Sequence, residues 1–190
     1  LAKFLLTPPI VAISVLLSVT LGAQARDVTF TTADDIATLQ SVIDGLESGD
    51  RVLLGDGTYS PGYTIYLTNG VTLAGSHYTN CAICPTGKRR VIWMDGAQSV
   101  LTNLTITGGA TSGWDRGGGI VMYDGVISHC MISNNVATGN NARGAGINIL
   151  GGTLTHSIVA KNKSTTYGAG IYVGEYGYKT LPKPVLIDRC

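Results

Sequence analysis

One short phrase recurs down the second half of the chain: Gly118-Gly119-Ile120, Gly144-Ala145-Gly146-Ile147 and Gly168-Ala169-Gly170-Ile171, with the isoleucines 27 and 24 residues apart. A second phrase travels with it. Residues 127–135 (ISHCMISNN) map onto residues 154–162 (LTHSIVAKN) at an offset of 27, and residues 101–109 (LTNLTITGG) precede the first of these by 26. Self-similarity at a period of roughly 20–50 residues marks a chain of stacked units, none of which can bury its apolar face alone. The apolar runs are short, rich in Val, Ile and Thr, and punctuated by glycine, so each unit reads as a coil of strands joined by tight turns. Charged residues are only 13% of the chain and glycines number 26, which suits buried strands and corners better than amphipathic helices.

Alternation along a strand assigns each side chain of the repeat a direction. Ile120, Ile147 and Ile171 are expected to stack inward with Met122, Ile149 and Val173, and Val121, Asn148 and Tyr172 to point outward. In the second phrase Leu104, Cys130 and Ser157 face in with Ile106, Ile132 and Val159, and Thr105, Met131 and Ile158 face out. The glycines bend the backbone at corners. Asn135 and Asn162 recur at the next corner, where stacked amides can bond one another and nearby carbonyls along the coil axis.

Upstream the elements are less regular. Residues 1–25 have the form of a secretory signal: Lys3, the apolar run 10–21 (IVAISVLLSVTL) and the small-x-small site Ala23-Gln24-Ala25. Cleavage there makes Arg26 the first mature residue; the alternative is an uncleaved anchor, for which the apolar run falls short of the roughly 20 residues a membrane span needs. Removing Lys3 leaves 12 basic and 12 acidic residues, so no basic field remains for nucleic acid or anionic lipid. Residues 26–50 read as a first strand at 28–30 and an amphipathic helix. Thr32-Ala33-Asp34-Asp35 opens it, Ile36, Leu39, Ile43 and Leu46 form its apolar face, and Gly45 or Gly49 ends it. Such a helix covers the raw core and unpaired strand edge of the first coil. Residues 51–190 are then coils, with strands expected at 51–54, 64–67, 71–74 and 91–94, and a surface excursion at 78–90 that carries Lys88-Arg89-Arg90 as a solvated run. The chain begins at Leu1 and stops at Cys190 inside what reads as another strand, so a fragment of a longer protein is expected.

Of the four cysteines, Cys81 and Cys84 lie in that excursion, as a local disulfide or as two free thiols. No second ligand pair at zinc spacing accompanies them, so no metal is assigned. Cys130 and Cys190 share a repeat column with Ser157 between them. One intervening coil separates them by about 9–10 Å at ordinary strand spacing, beyond disulfide reach, and both read as small core residues.

With these motifs the chain resembles the right-handed parallel β-helices of exported bacterial proteins, the pectin-lyase-like fold. The Gly-x-Gly-Ile phrases paired with Ile132-Ser133-Asn134-Asn135 and Val159-Ala160-Lys161-Asn162 are similar to the Gly-Gly-Ala-Ile and Phe-x-x-Asn motifs of polymorphic outer-membrane proteins, with Ile or Val in place of the Phe. The resemblance implies an all-β, right-handed parallel β-helix with an N-terminal capping helix. It also implies an autotransporter-like surface passenger or secreted adhesion module.

The fold also hosts polysaccharide lyases and hydrolases, which need a base beside a carboxylate or two carboxyl groups flanking a bond. The outward columns Val121, Asn148, Tyr172 and Thr105, Met131, Ile158 hold neither, so no catalytic residue and no cofactor is assigned; the alternative is an enzyme whose catalytic coils lie beyond residue 190. Charge gathers at corners instead. Arg116 and Arg143 each precede a Gly phrase, 27 residues apart, and Tyr167 takes that position next. Trp114, Asp115, Arg116, Arg143, Tyr167 and Tyr172 are therefore the candidate contacts for an extracellular or cell-surface polysaccharide, since aromatic faces and guanidinium forks suit sugars and uronates. His129 and His156 share a column with Asn103 and Arg189 and read as a solvent-facing bend. Asp95 and Asp124 precede glycines and read as turn residues.

Overall fold

The computed structural model describes residues 24–174 and 183–190; residues 1–23 of the expected signal segment lie outside the described residues. The chain winds as a parallel solenoid, and every strand pair runs parallel with its partner on the next coil. Four columns of strands make the walls. One column runs through Asp27–Phe30, Arg51–Leu54, Thr72–Gly75, residues 100–102, residues 126–128, Gly152–Thr155 and Val185–Asp188. A second, continuous with it around a bend, holds Ile65–Leu67, residues 92–94, residues 120–122, Ile147–Ile149 and Ile171–Val173. The third holds Gly57–Tyr59, Cys81–Ile83, Thr105–Thr107, Met131–Ser133 and Ile158–Ala160, and the fourth Ala110–Ser112, Val136–Thr138 and Lys163–Ser164.

The alternation read from the repeats holds. Ile120, Met122, Ile147, Ile149, Leu104, Ile106 and Ile132 are fully buried in one continuous core. Val173 and Ile158 are exposed, the first because it closes the last described coil of its column and the second because it faces outward. The corners follow too. Gly117, Gly144 and Gly168, which open the three Gly phrases, adopt φ of 59°, 56° and 55°, a left-handed turn that favours glycine. Asn103, His129, His156 and Arg189 occupy the same left-handed region at φ 57°, 52°, 45° and 51°, so that column is a corner.

The predicted amide ladder is present. Asn135 is fully buried; its Oδ1 accepts from Gly109 N at 2.9 Å, and its Nδ2 donates to Ile106 O, Ser133 O and Asn162 Oδ1 at 3.0, 3.1 and 3.0 Å. Asn162 repeats the pattern one coil on, donating to Ile132 O at 2.8 Å.

The capping helix is a 3-10 turn, Ile36–Thr38, followed by one short α-helix, Leu39–Asp44. Its N-cap is Asp35, which accepts from Ala37 N, while Asp34 closes a turn onto Thr31. Leu39 and Ile43 enter the core. Gln40 does the capping: its amide accepts from Tyr66 N at 2.8 Å and donates to Tyr66 O at 3.1 Å. That side chain satisfies the exposed edge of Ile65–Leu67 as another strand would.

Asp50 ties the start of the first coil to the turn after the helix. Its carboxylate accepts from Arg26 N, Arg26 Nε and Glu47 N at 2.7, 2.9 and 3.0 Å, and these bonds hold its pKa at about 2, below the ordinary 3.8. A depressed carboxyl pKa contributes stability that is present above pH about 4 and lost as pH falls through about 2. Asp50→Asn is expected to unfold more easily at pH 7 and to lose less further stability between pH 4 and 2 than the wild type. Parallel acid titrations followed by circular dichroism check this; superimposable curves would remove Asp50 from the account.

The surface excursion expected at 78–90 is not borne out, and of the two readings of Cys81 and Cys84 the free thiols hold. Cys81–Ile83 is a wall strand, not a surface excursion, paired with Gly57–Tyr59 and Thr105–Thr107. Cys81 and Ile83 fill the core, because a cysteine packs as a small hydrophobe. No disulfide joins Cys81 to Cys84: both thiols are free. Three residues along a strand separate them by about 10 Å, beyond the Cα separation a disulfide spans. Burial pushes the Cys81 thiol up to about 11 and Cys130 up to about 12, which leaves both unreactive as nucleophiles. Cys190 repeats the sulfur contacts of Cys130 but is exposed on the last described coil.

Candidate functional site

Parallel register carries the outward column of residues 120–122 upstream as well as down: Tyr66, Trp93, Val121, Asn148 and Tyr172 are partners on successive coils. Tyr66 and Trp93 have ring centroids 6.3 Å apart, and Trp93 stacks on Tyr123 at 5.1 Å. An aromatic ladder therefore runs along the solenoid axis on its outer wall.

The 112–117 loop folds against this ladder, and Arg90 holds it there. The Arg90 guanidinium lies 5.1 Å from the Trp93 ring and donates to Arg116 O at 2.6 Å and Gly117 O at 3.1 Å, with Asp115 at 3.9 Å. Only 13% of its side chain is exposed, so Arg90 is a strut and not part of a solvated run. Burial pulls its pKa below the ordinary arginine value, opposed by Asp115 and by the neighbouring tyrosines.

Trp114, Asp115 and Arg116, three of the residues expected to contact a ligand, come together with Trp93, Tyr123 and Asn148 around a cavity of about 210 Å³. Trp114 is 68% exposed at its rim. Val121 and Asn148 face outward as expected, yet are buried at 3% and 0% exposure. The loop and the aromatic side chains roof them. Asn148 Nδ2 donates to Gly174 O at 3.2 Å, and its Oδ1 has no hydrogen-bond partner among the described residues.

Arg143 departs from its expected role. It stands in the column of Arg116 and Tyr167, shown by the Gly117 N to Arg143 O bond of 3.0 Å and the Arg143–Tyr167 bridge. Its guanidinium, however, lies 5.3 Å from the Tyr167 ring and 5.2 Å from the Tyr172 ring, and the residue is 4% exposed. The two tyrosines of the next coil cover it, so it braces the wall instead of reaching solvent, and Tyr167 presents the exposed surface there.

A right-handed β-helix family model matches residues 45–181, more than half of the chain. The chain belongs to that family. Comparison with curated proteins and with solved structures gives no match. A β-helix fold does not by itself imply a function, which depends on the side chains of its outer wall.

Other titratable groups of the β-helix lie apart from the ladder. His129 and His156 stack at 5.0 Å with rings 9° from parallel, and Arg189 meets His156 Nε2 at 2.9 Å. A cation at that nitrogen opposes a metal ion there. No group of three His, Cys, Asp or Glu side chains suited to a metal occurs among the described residues. Asp95 and Asp124 are register partners at the bend; Asp124 accepts from Gly125 N at 2.7 Å and pairs with Lys183 at 2.8 Å, which holds its carboxyl below the usual range.

Tyr66, Trp93, Tyr123 and Arg90 were missed as site residues. A signal for the first two was available: Ile65-Tyr66-Leu67 and Ile92-Trp93-Met94 share the inward-outward-inward pattern of Ile120-Val121-Met122.

Proposed function

We propose that this β-helix is an exported, non-catalytic module that contacts glycans through its aromatic outer wall, as a surface passenger or a secreted adhesion protein. The observation that carries the reading is the Tyr66–Trp93–Tyr123 ladder continued by exposed Trp114 and by Arg116. Sugar rings lay their C–H faces on aromatic rings, and guanidinium groups bond hydroxyls and carboxylates in the same plane. Asp115, the one carboxylate lining the cavity, is turned to Arg90. Export is supported by the signal-like composition of residues 1–25.

One observation favours the second reading, a carbohydrate-active enzyme. Asp95 and Asp124 are register partners on neighbouring coils, which brings two carboxyl groups to one bend of the wall, as a glycosidase pair requires. Lys183 holds the Asp124 carboxyl below its ordinary range, which suits the ionised member of such a pair and not its general acid.

Affinity electrophoresis through gels containing polygalacturonate, alginate or neutral glycans tests both readings. Wild type should be retarded by at least one, and Trp114→Ala should weaken retention roughly tenfold, as loss of an aromatic anchor does, with an unchanged melting temperature. No retardation in any gel would sink the glycan reading. New reducing ends or unsaturated-product absorbance, abolished by Asp95→Asn with Asp124→Asn, would establish the enzyme instead.

A further inference from the structure

A larger cavity, of about 520 Å³, opens on the other side of Arg90, between residues 88–90 and the strands Ala110–Ser112 and Val136–Thr138. Lys88, Arg89 and Arg90 line it together with Thr111, Ser112 and Thr138. Asp115 also lines it but is paired with Arg90 at 3.9 Å, so three cations against one carboxylate leave a surplus of two positive charges.

One guanidinium donor there lacks an acceptor. Arg89 Nη1 donates to Gly62 O, which orients the guanidinium, while Arg89 Nε is buried with no partner among the described residues. An arginine Nε can only donate. Thr111, the register partner of core Ala137, faces inward, so the hydroxyls that line the cleft are those of the outward residues Ser112 and Thr138. Thr138 already donates to Thr111 O at 3.3 Å and so retains lone pairs only. A buried donor left unmatched is costly, and a guest rich in acceptors removes that cost.

We infer that this cleft binds a phosphate monoester, with Lys88 and Arg89 neutralising the oxyanion and the outward Ser112 hydroxyl donating to it. Three acceptor oxygens and a charge near −2 match the Arg89 Nε and Ser112 donors and the twofold positive surplus, which a singly charged carboxylate does not. The volume lies in the range of small-molecule sites and leaves room for a sugar-sized substituent on the phosphate.

Thermal melts of the full chain test this with inorganic phosphate, glucose 6-phosphate, glucose, and sodium chloride at matched ionic strength. A ligand that binds only the folded state raises the melting temperature in proportion to its occupancy. Both phosphates are expected to raise it saturably, and glucose and chloride are not. A larger shift with the ester identifies a phosphorylated sugar as the guest, and equal shifts identify free phosphate. Lys88→Ala should weaken the response roughly tenfold. Ser112→Ala, at an exposed position on the cleft wall, should fold as well as the wild type and respond less. Chloride matching phosphate, or both variants responding as the wild type does, overturns the inference. Trp114→Ala should lose glycan retention and keep the phosphate response, which separates this site from the aromatic wall.

Discussion

A methyl group at Gly119 is expected to destabilise the fold by about 3 kcal/mol, well above the cost of an ordinary surface substitution. A Cβ built there would lie 2.5 Å from Gly146 O, 2.8 Å from Asn135 Nδ2 and 2.9 Å from Asn135 Cγ. The first is backbone of the next coil and the others belong to the buried amide ladder, so neither side can yield without parting two coils. Gly146 stands in the same relation to Gly170 O and Asn162, which explains why the last glycine of the phrase recurs. Gly113 is the control: it has a φ of 70° with nothing within 4 Å of a Cβ, so Gly113→Ala pays only for conformation, about 1–2 kcal/mol. Denaturant titration of both variants decides the matter. A loss below about 1 kcal/mol for Gly119→Ala would mean that the coils separate easily, and crowding would not be what preserves this glycine.

Where the Gly phrase and the Asn phrase coincide, from Leu101 to Val173, direction and corner placement were legible in the sequence because a period of 24 to 27 residues superimposes strand on strand. Upstream the coil length changes. Arg51 pairs with Thr72 after 21 residues and Thr72 with Val100 after 28, and no Gly phrase precedes Ile65 or Ile92. Without the marker, the short alternations Ile65-Tyr66-Leu67 and Ile92-Trp93-Met94 point Tyr66 and Trp93 outward but carry no register that joins them to Val121. Cys81–Ile83 failed for another reason: three residues flanked by Asn80 and Pro85 show too little alternation to distinguish a wall strand from a loop.

The candidate site was legible in part for a related reason. Trp114, Asp115 and Arg116 come together because they share one loop, and adjacency in sequence suffices for that. Arg143 was placed in the right column but with the wrong exposure. Column position follows from periodicity, whereas burial depends on what the next coil lays over it, here Tyr167 and Tyr172. Arg90 illustrates the same gap. Its neighbours Lys88 and Arg89 suggest a charged surface run, and only the return of the chain at residues 116–117 turns it into a buried strut.

Replacing Asn135 by Leu should cost about 3–5 kcal/mol, because the near-isosteric side chain fills the space but bonds nothing. It strands the amide of Gly109 and the carbonyls of Ile106 and Ser133 in the core, and each unmatched buried group costs about 1–3 kcal/mol before relaxation. Asn135→Asp separates polarity from donor number. As a carboxylate it would still accept from Gly109 N but would face Ile106 O, Ser133 O and Asn162 Oδ1 with no proton to give. Those acceptors and full burial raise its folded pKa above the unfolded value, so its stability is present at low pH and lost as pH rises through the folded pKa. The Asp variant should therefore be more stable near pH 4 than at pH 7, while Asn135→Leu shows no such recovery. Because Gly119 faces the same amide, the Gly119→Ala and Asn135→Leu costs should not add, and a double-mutant cycle that closed to within about 0.3 kcal/mol would show that glycine and ladder act independently.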